Sequence, residues 1–182
     1  MLQILFLDPV QTIILDIIAW TIIQLSIGYF SSRIPLDHLD PNQWFFQTFK
    51  WENDGKIYQK LFHIRSWKHL IPNGSALYRD GYSIKNLSSR DPEYLERWLK
   101  ESVRSEICHW RMIIPCIFFF LWNSVTMGWI MVAYALISNL VPIILQRYNR
   151  PRIRRLLDQV EKKNPGKGAI YVVPQKEFSH SY

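Results

Sequence analysis

Charged and apolar positions are unevenly distributed along this chain. Residues 112–145 form 34 consecutive uncharged positions, and residues 9–32 carry only Asp16. A bilayer's hydrocarbon core takes roughly 20 residues of helix to cross, so both blocks predict membrane helices. The first reads PVQTIILDIIAWTIIQLSIGYF over residues 9–30. No basic residue precedes it and no small-x-small cleavage site clearly follows, which predicts a retained helix, not a secretory signal. The second block would be about 50 Å long as a single helix at ~1.5 Å per residue, too long for one crossing. Asn123-Ser124 divides it, which predicts a helical hairpin with limbs over 106–122 and 125–146. The first limb is short in apolar residues, so a re-entrant helix is its alternative.

Charge then orients these spans. Of the 22 Lys and Arg, 13 lie in residues 33–111 and nine in residues 146–182, with none in residues 1–32 or 112–145. Three spans with the N-terminus outside place both basic segments, 31–105 and 147–182, on the cytoplasmic face, as the positive-inside tendency requires. The expectation is an all-α, multi-pass protein of the cell membrane, one domain over residues 1–182, with the bilayer as its first partner. The overall charge of +7 follows from this topology and gives no independent support for nucleic-acid binding.

Between the first two spans, Trp44, Phe45, Phe46, Phe49 and Trp51 suit a segment at headgroup level, or else a small soluble core. Turn signals at Asn53-Asp54-Gly55, Pro72-Asn73-Gly74 and Asp80-Gly81 predict a compact loop of short strands or turns. Beyond the third span, Pro151 suits a helix start. Ile153, Leu156, Leu157 and Val160 form one stripe ringed by Arg152, Arg154, Arg155, Lys162 and Lys163, which predicts a C-terminal amphipathic helix on anionic lipid.

Candidate chemistry begins at Asp91-Pro92-Glu93, a helix-start signature. At ~100° per residue, Leu95, Leu99, Ser102, Glu106, His109 and Ile113 share one stripe, opposite Arg97, Lys100, Arg104 and Arg111. Glu106 and His109 are three apart and within reach of each other. A carboxylate-held His is a standard general base; a self-satisfied buried pair, or Glu106 paired with an Arg, is the structural alternative. On the third span, Gly128, Val132, Ala135, Asn139, Ile143, Gln146 and Arg150 share a face. Small residues permit close helix approach and an intramembrane amide avoids lipid, so Asn139 points inward, toward Glu106 and His109 or simply as helix–helix glue.

The exit sequence Gln146-Arg147-Tyr148-Asn149-Arg150-Pro151-Arg152 is dense in donors suited to phosphate or carboxylate, although a positive-inside flank needs only the arginines. A metal is not expected, because carboxylate-bridged sites use two Glu-x-x-His motifs and this chain has one. Cys108 and Cys116 have no metal or disulfide spacing. The remaining histidines, His38, His63, His69 and His180, fall in loops or the tail; His63 and His69 flank the run FHIRSWKH and are the alternative metal candidates. There is no Gly-x-Ser-x-Gly elbow, phosphate loop or dinucleotide fingerprint.

Several of these residues carry a family resemblance. They are Arg33-Ile34-Pro35, Trp67-Lys68-His69 with Asn73-Gly74, and Glu101-x-x-Arg104-x-Glu106-x-x-His109-Trp110 with Pro115. Tyr134-Ala135 with Asn139 and Pro142, and Gln146 through Arg152, complete the set. Over about residues 20–157 the chain resembles the glycosyl-4,4'-diaponeurosporenoate acyltransferase family of small bacterial membrane proteins from the staphyloxanthin pathway. The resemblance implies transfer of a fatty acyl chain to a sugar hydroxyl on a glycosylated carotenoid; it brings no settled catalytic residues. From the helix argument, His109 is the expected base, Glu106 its orienter and Asn139 the oxyanion donor. Arg147, Tyr148, Asn149, Arg150 and Arg152 are expected to hold a donor phosphate or the acceptor's head group. Acyl-CoA is the expected donor substrate, with no cofactor. A small enzyme acting on another isoprenoid or lipid, and a non-catalytic membrane assembly factor, are the rival functions.

Overall fold

A computed structural model describes residues 3–71, 84 and 87–163, and the described residues contain helices and no strand. Helix α1 spans Pro9–Ser32, α2 Lys56–Phe62, α3 Ile64–Trp67, α4 Pro92–Ile113 and α5 Val125–Lys163. Asp8 caps α1 by accepting from the Val10 and Gln11 amides, with Pro9 in the first turn, where its missing N–H costs nothing.

Among the described residues, two helices are long and apolar enough to cross a membrane, α1 and α5. Only 17% of the apolar window of α1 is buried, and Ile13, Ile17, Ile22, Trp129 and Ile137 are mostly exposed. A soluble protein rarely leaves so continuous an apolar surface in water, so both helices fit membrane association.

The expected limb 106–122 is not one continuous helix. α4 ends at Ile113 and a 3-10 stretch covers Ile114–Leu121, with Pro115 near its start. Proline has no amide hydrogen for the helical ladder, which accounts for the change at this point. The third span and the C-terminal helix, expected as two elements, are one 39-residue helix with Pro142 and Pro151 inside it. The apolar stripe expected on lipid also has a different partner. Leu157, with Ile153, Leu156 and Val160 around it, packs on Leu95, Trp98 and Leu99 of α4. Burial between two helices takes the place of burial in the headgroup layer.

Of the strands or turns expected after residue 52, the turn at Asn53-Asp54-Gly55 forms, but no strand does among the described residues, and α2, α3 and the 3-10 turn Lys68–Leu70 follow instead; Pro72-Asn73-Gly74 and Asp80-Gly81 lie outside the described residues. Of the aromatic segment, Trp44 and Trp51 are exposed while Phe46 is buried with Leu39 and Val103.

α4 and α5 pack along most of their lengths, and α1 lies against α4. The inward face of α5 matches its small residues: Gly128, Ala135, Asn139, Ile143, Gln146 and Arg150 are all buried. A Cβ at Gly128 would meet the Phe120 ring at 2.5 Å. At the other end, Gly55 adopts a left-handed conformation in the turn after Asn53 and Asp54. Its missing Cβ lets that turn approach α5, since a Cβ would sit 3.1 Å from the Arg147 and Tyr148 carbonyl oxygens.

Candidate active site

Two polar centres lie between α4 and α5. The first is built on Arg147, whose guanidinium has five N–H donors. Nε donates to Glu52 Oε1 at 2.5 Å, Nη1 to the Phe45 carbonyl and Glu106 Oε1, and Nη2 to the Gln47 carbonyl and Glu52 Oε2. Arg150 donates to the Ser102 hydroxyl and carbonyl and to the Phe46 carbonyl. It also lies 2.7 Å from Glu106 Oε2 as an ion pair without hydrogen-bond alignment. Glu52 and Glu106 are fully buried. Tyr58 donates its hydroxyl to Glu52, as does the Phe49 amide. Burial pushes the Tyr58 phenol well above its usual range, reinforced by the Glu52 carboxylate, so it remains a donor at neutral pH.

Glu106 therefore does not orient His109. Each of its oxygens is taken by an arginine, because a guanidinium brought from α5 offers a full opposite charge that a neutral imidazole on the same helix cannot. Arg147 and Arg150, expected to hold substrate, likewise spend their donors on the protein. They fasten the 45–52 segment to α4 and α5.

The second centre is the pair His109–Asn139, with His109 Nδ1 2.9 Å from Asn139 Oδ1. Because the amide oxygen can only accept, Nδ1 carries the hydrogen, a tautomer assigned from this contact. Nε2 is then the basic lone pair, and no hydrogen bond to it is formed by the described residues. Asn139 Nδ2 donates to the Ala135 carbonyl and to the Ser138 hydroxyl. Both amide hydrogens are thus spent within α5, and Asn139 meets His109 through its oxygen.

The rest of the exit sequence divides in the same way. Tyr148 is buried with Tyr58, Ile64 and Leu145, and Asn149 is half-buried. Arg152 stacks on the Tyr148 ring, 3.4 Å from its centroid, and donates to the Tyr148 carbonyl. Beside it, exposed Arg65 uses Nε on the Tyr148 hydroxyl. Burial lowers the affinity of Arg152 for its proton, and the positive charge of Arg65 acts in the same direction. Two guanidiniums with open donors at one spot suit an anionic group. Sequence reasoning missed Arg65 and Glu52, which lie 83 and 95 residues before their α5 partners, and Tyr58, which joins the centre through Glu52; no local spacing ties them to α5. His63 and His69 are both exposed.

These centres fall inside a recognised family. A family model described as glycosyl-4,4'-diaponeurosporenoate acyltransferase matches residues 41–159. The chain belongs to this acyltransferase family. Curated relatives of that name include one from Staphylococcus aureus strain MRSA252, 36% identical over 144 residues, which are 79% of this chain and 87% of the relative. Another, from strain N315, is 35% identical over the same shares. No solved structure matches. The matched region holds Glu52, Glu106, His109, Asn139 and the whole exit sequence, so both polar centres lie within the family's own extent.

Proposed function

We propose that this protein is a membrane-embedded acyltransferase that moves a fatty acyl chain onto a sugar hydroxyl of a glycosylated carotenoid or related isoprenoid lipid. The name of its relatives supplies the acceptor class. The observation that carries the mechanism is the oriented His109, with its basic nitrogen left open between two packed helices. His109 Nε2 takes the hydroxyl proton as the sugar oxygen attacks the acyl carbonyl. Collapse of the tetrahedral intermediate breaks the acyl–sulfur bond of an acyl-CoA donor, and the imidazolium returns its proton to the leaving thiolate. Arg152 and Arg65 suit the donor's phosphate groups. Arg147 and Arg150 act indirectly, by fixing the helices that carry the base.

Three crossings with the N-terminus outside fit this assignment. From Glu106, seven residues of α4 rise at ~1.5 Å each and eight 3-10 residues at ~2.0 Å, roughly 27 Å in all. From Val125 to Arg147, α5 rises about 33 Å. Both limbs match a core of ~30 Å, and both join the arginine–carboxylate centre at one end and the 122–124 turn at the other. The 3-10 winding supplies the reach that α-helix would lack over so few residues.

The deciding assay follows conversion of the glycosylated carotenoid to its acylated form in membranes, with abundance checked by immunoblot. His109→Ala should cost roughly 10²–10⁴-fold in turnover at normal abundance. Retention of more than about a tenth of wild-type turnover, less loss than any general base incurs, would remove His109 as the base. Topology is tested with single cysteines at Lys60 and Lys163 in a chain lacking Cys108 and Cys116. Both should resist an impermeant thiol reagent applied outside; labelling of Lys163→Cys would remove the three-crossing arrangement.

A further inference from the structure

Between α1 and the first turns of α5 runs a groove of about 780 Å³, closed at one end by the turn before α5. A volume of that size falls in the range of small-molecule pockets, about 300–1,000 Å³. Exposed Ile13, Ile17 and Ile130 line it, so it opens on the surface that faces lipid. Asp16, the one charged residue of residues 9–32, lies in its wall. An ionisable residue at membrane depth is rare and marks a functional site by default.

Asp16 is 7% exposed, and its Oδ1 accepts from Trp122 Nε1 at 2.7 Å and from Asn123 Nδ2 at 2.8 Å. Its Oδ2 receives no hydrogen bond among the described residues. Asn123 is 2% exposed, and its Oδ1 is buried with no partner. Both acceptors thus lack a donor among the described residues, where buried polar groups as a rule have one. The neighbouring stretches cannot supply a cation, since residues 1–32 and 112–145 contain no Lys or Arg.

We propose that this groove binds a long-chain amphiphile with a hydroxyl-rich, sugar-type headgroup, its hydroxyls donating to Asp16 Oδ2 and Asn123 Oδ1 and its chain lying along Ile13, Ile17 and Ile130. Hydroxyls fit better than an ammonium. Of the groove's other polar groups, Gln3 and Thr12 give their hydrogens to backbone carbonyls, whereas Gln24 and Ser124 are neutral and have no acceptor for theirs among the described residues; a hydroxyl serves both needs, whereas an ammonium only donates. The rings of Trp20 and Trp122 add apolar faces of the kind on which sugars stack. Asn123 precedes α5, and from Val125 to Asn139 that helix rises roughly 21 Å, so this is a second site. It goes beyond acyl transfer and does not depend on where that reaction occurs.

The test is equilibrium binding of labelled n-dodecyl β-D-glucopyranoside to the full chain in phosphatidylcholine nanodiscs, with unlabelled dodecyltrimethylammonium as competitor. The expected result is a saturable binding phase for the glucoside at this groove, separate from occupancy of the acceptor position beside His109. It should weaken at least tenfold in Asp16→Leu and Asn123→Leu, remain unchanged in His109→Ala, and resist the ammonium competitor. Ile13→Trp fills the groove while leaving the Trp122 and Asn123 bonds to Asp16 intact; it should abolish that phase even if the Asp16 variant fails to fold. Binding that is unsaturable, untouched by Ile13→Trp, or displaced equally well by the ammonium would overturn the proposal.

Discussion

Glu52, Glu106, Arg147 and Arg150 divide their charges among themselves and with four backbone carbonyls. About two turns along α5, Asn139 shares one hydrogen bond with His109. The first centre contains every strong charge between the helices, yet its arginines have almost nothing left to offer a ligand. The second is sparse and keeps a basic nitrogen open. Buried charges must be satisfied by the fold, whereas a catalytic group must keep one valence for the substrate. Counting unspent donors and acceptors, more than counting charges, separates the part that holds the helices together from the part that can do chemistry.

Removing Glu106 should separate the two centres most sharply. Glu106→Leu leaves Arg147 and Arg150 facing each other without that carboxylate, and breaking a buried pair costs about 3–5 kcal/mol. The expected outcome is loss of folded protein, read as low abundance in membranes and a collapsed thermal transition. Stable, abundant Glu106→Leu with only turnover lost would return the carboxylate to catalysis and break the comparison.

His109→Ala should do the reverse, losing turnover by orders of magnitude while the thermal transition moves little. Asn139→Ala sharpens the point. Without its orienter the imidazole keeps its place on α4 but not its angle, so kcat should fall by roughly tenfold, within the range lost when a supporting partner is removed, with KM nearly unchanged. A rise in KM alone would make Asn139 a substrate contact.

Tyr58→Phe deletes one donor to Glu52 and leaves the Phe49 amide and Arg147 in place. Leaving that buried carboxylate short of one hydrogen bond should cost about 1–3 kcal/mol, seen in the midpoint of thermal unfolding and not in kcat. The smallest effect belongs to Arg152→Gln. If Arg152 meets the donor's phosphates, the apparent KM for acyl-CoA should rise several-fold, as for a partly screened charge contact, with kcat and abundance held. An unchanged KM would confine Arg152 to its stack on Tyr148.

The sequence by itself settled what depends on composition and helical period. Uncharged blocks marked α1 and α5. A 100° count placed Glu106 on the buried face of α4 and Asn139 on that of α5, because side-chain direction along a helix is fixed by its geometry. The residue types also carried the family resemblance. Tertiary structure alone decided which buried polar group meets which. Glu106 and His109 are three residues apart, yet Glu106 meets Arg147, 41 positions away, and His109 meets Asn139, 30 positions away. Local spacing sets which groups can touch; the choice follows from the larger electrostatic gain of pairing full charges in a water-poor interior. Glu52 reaches Arg147 across 95 positions, and Asp16 reaches Asn123 across 107. No periodicity connects such residues, so they become partners only when the helices pack.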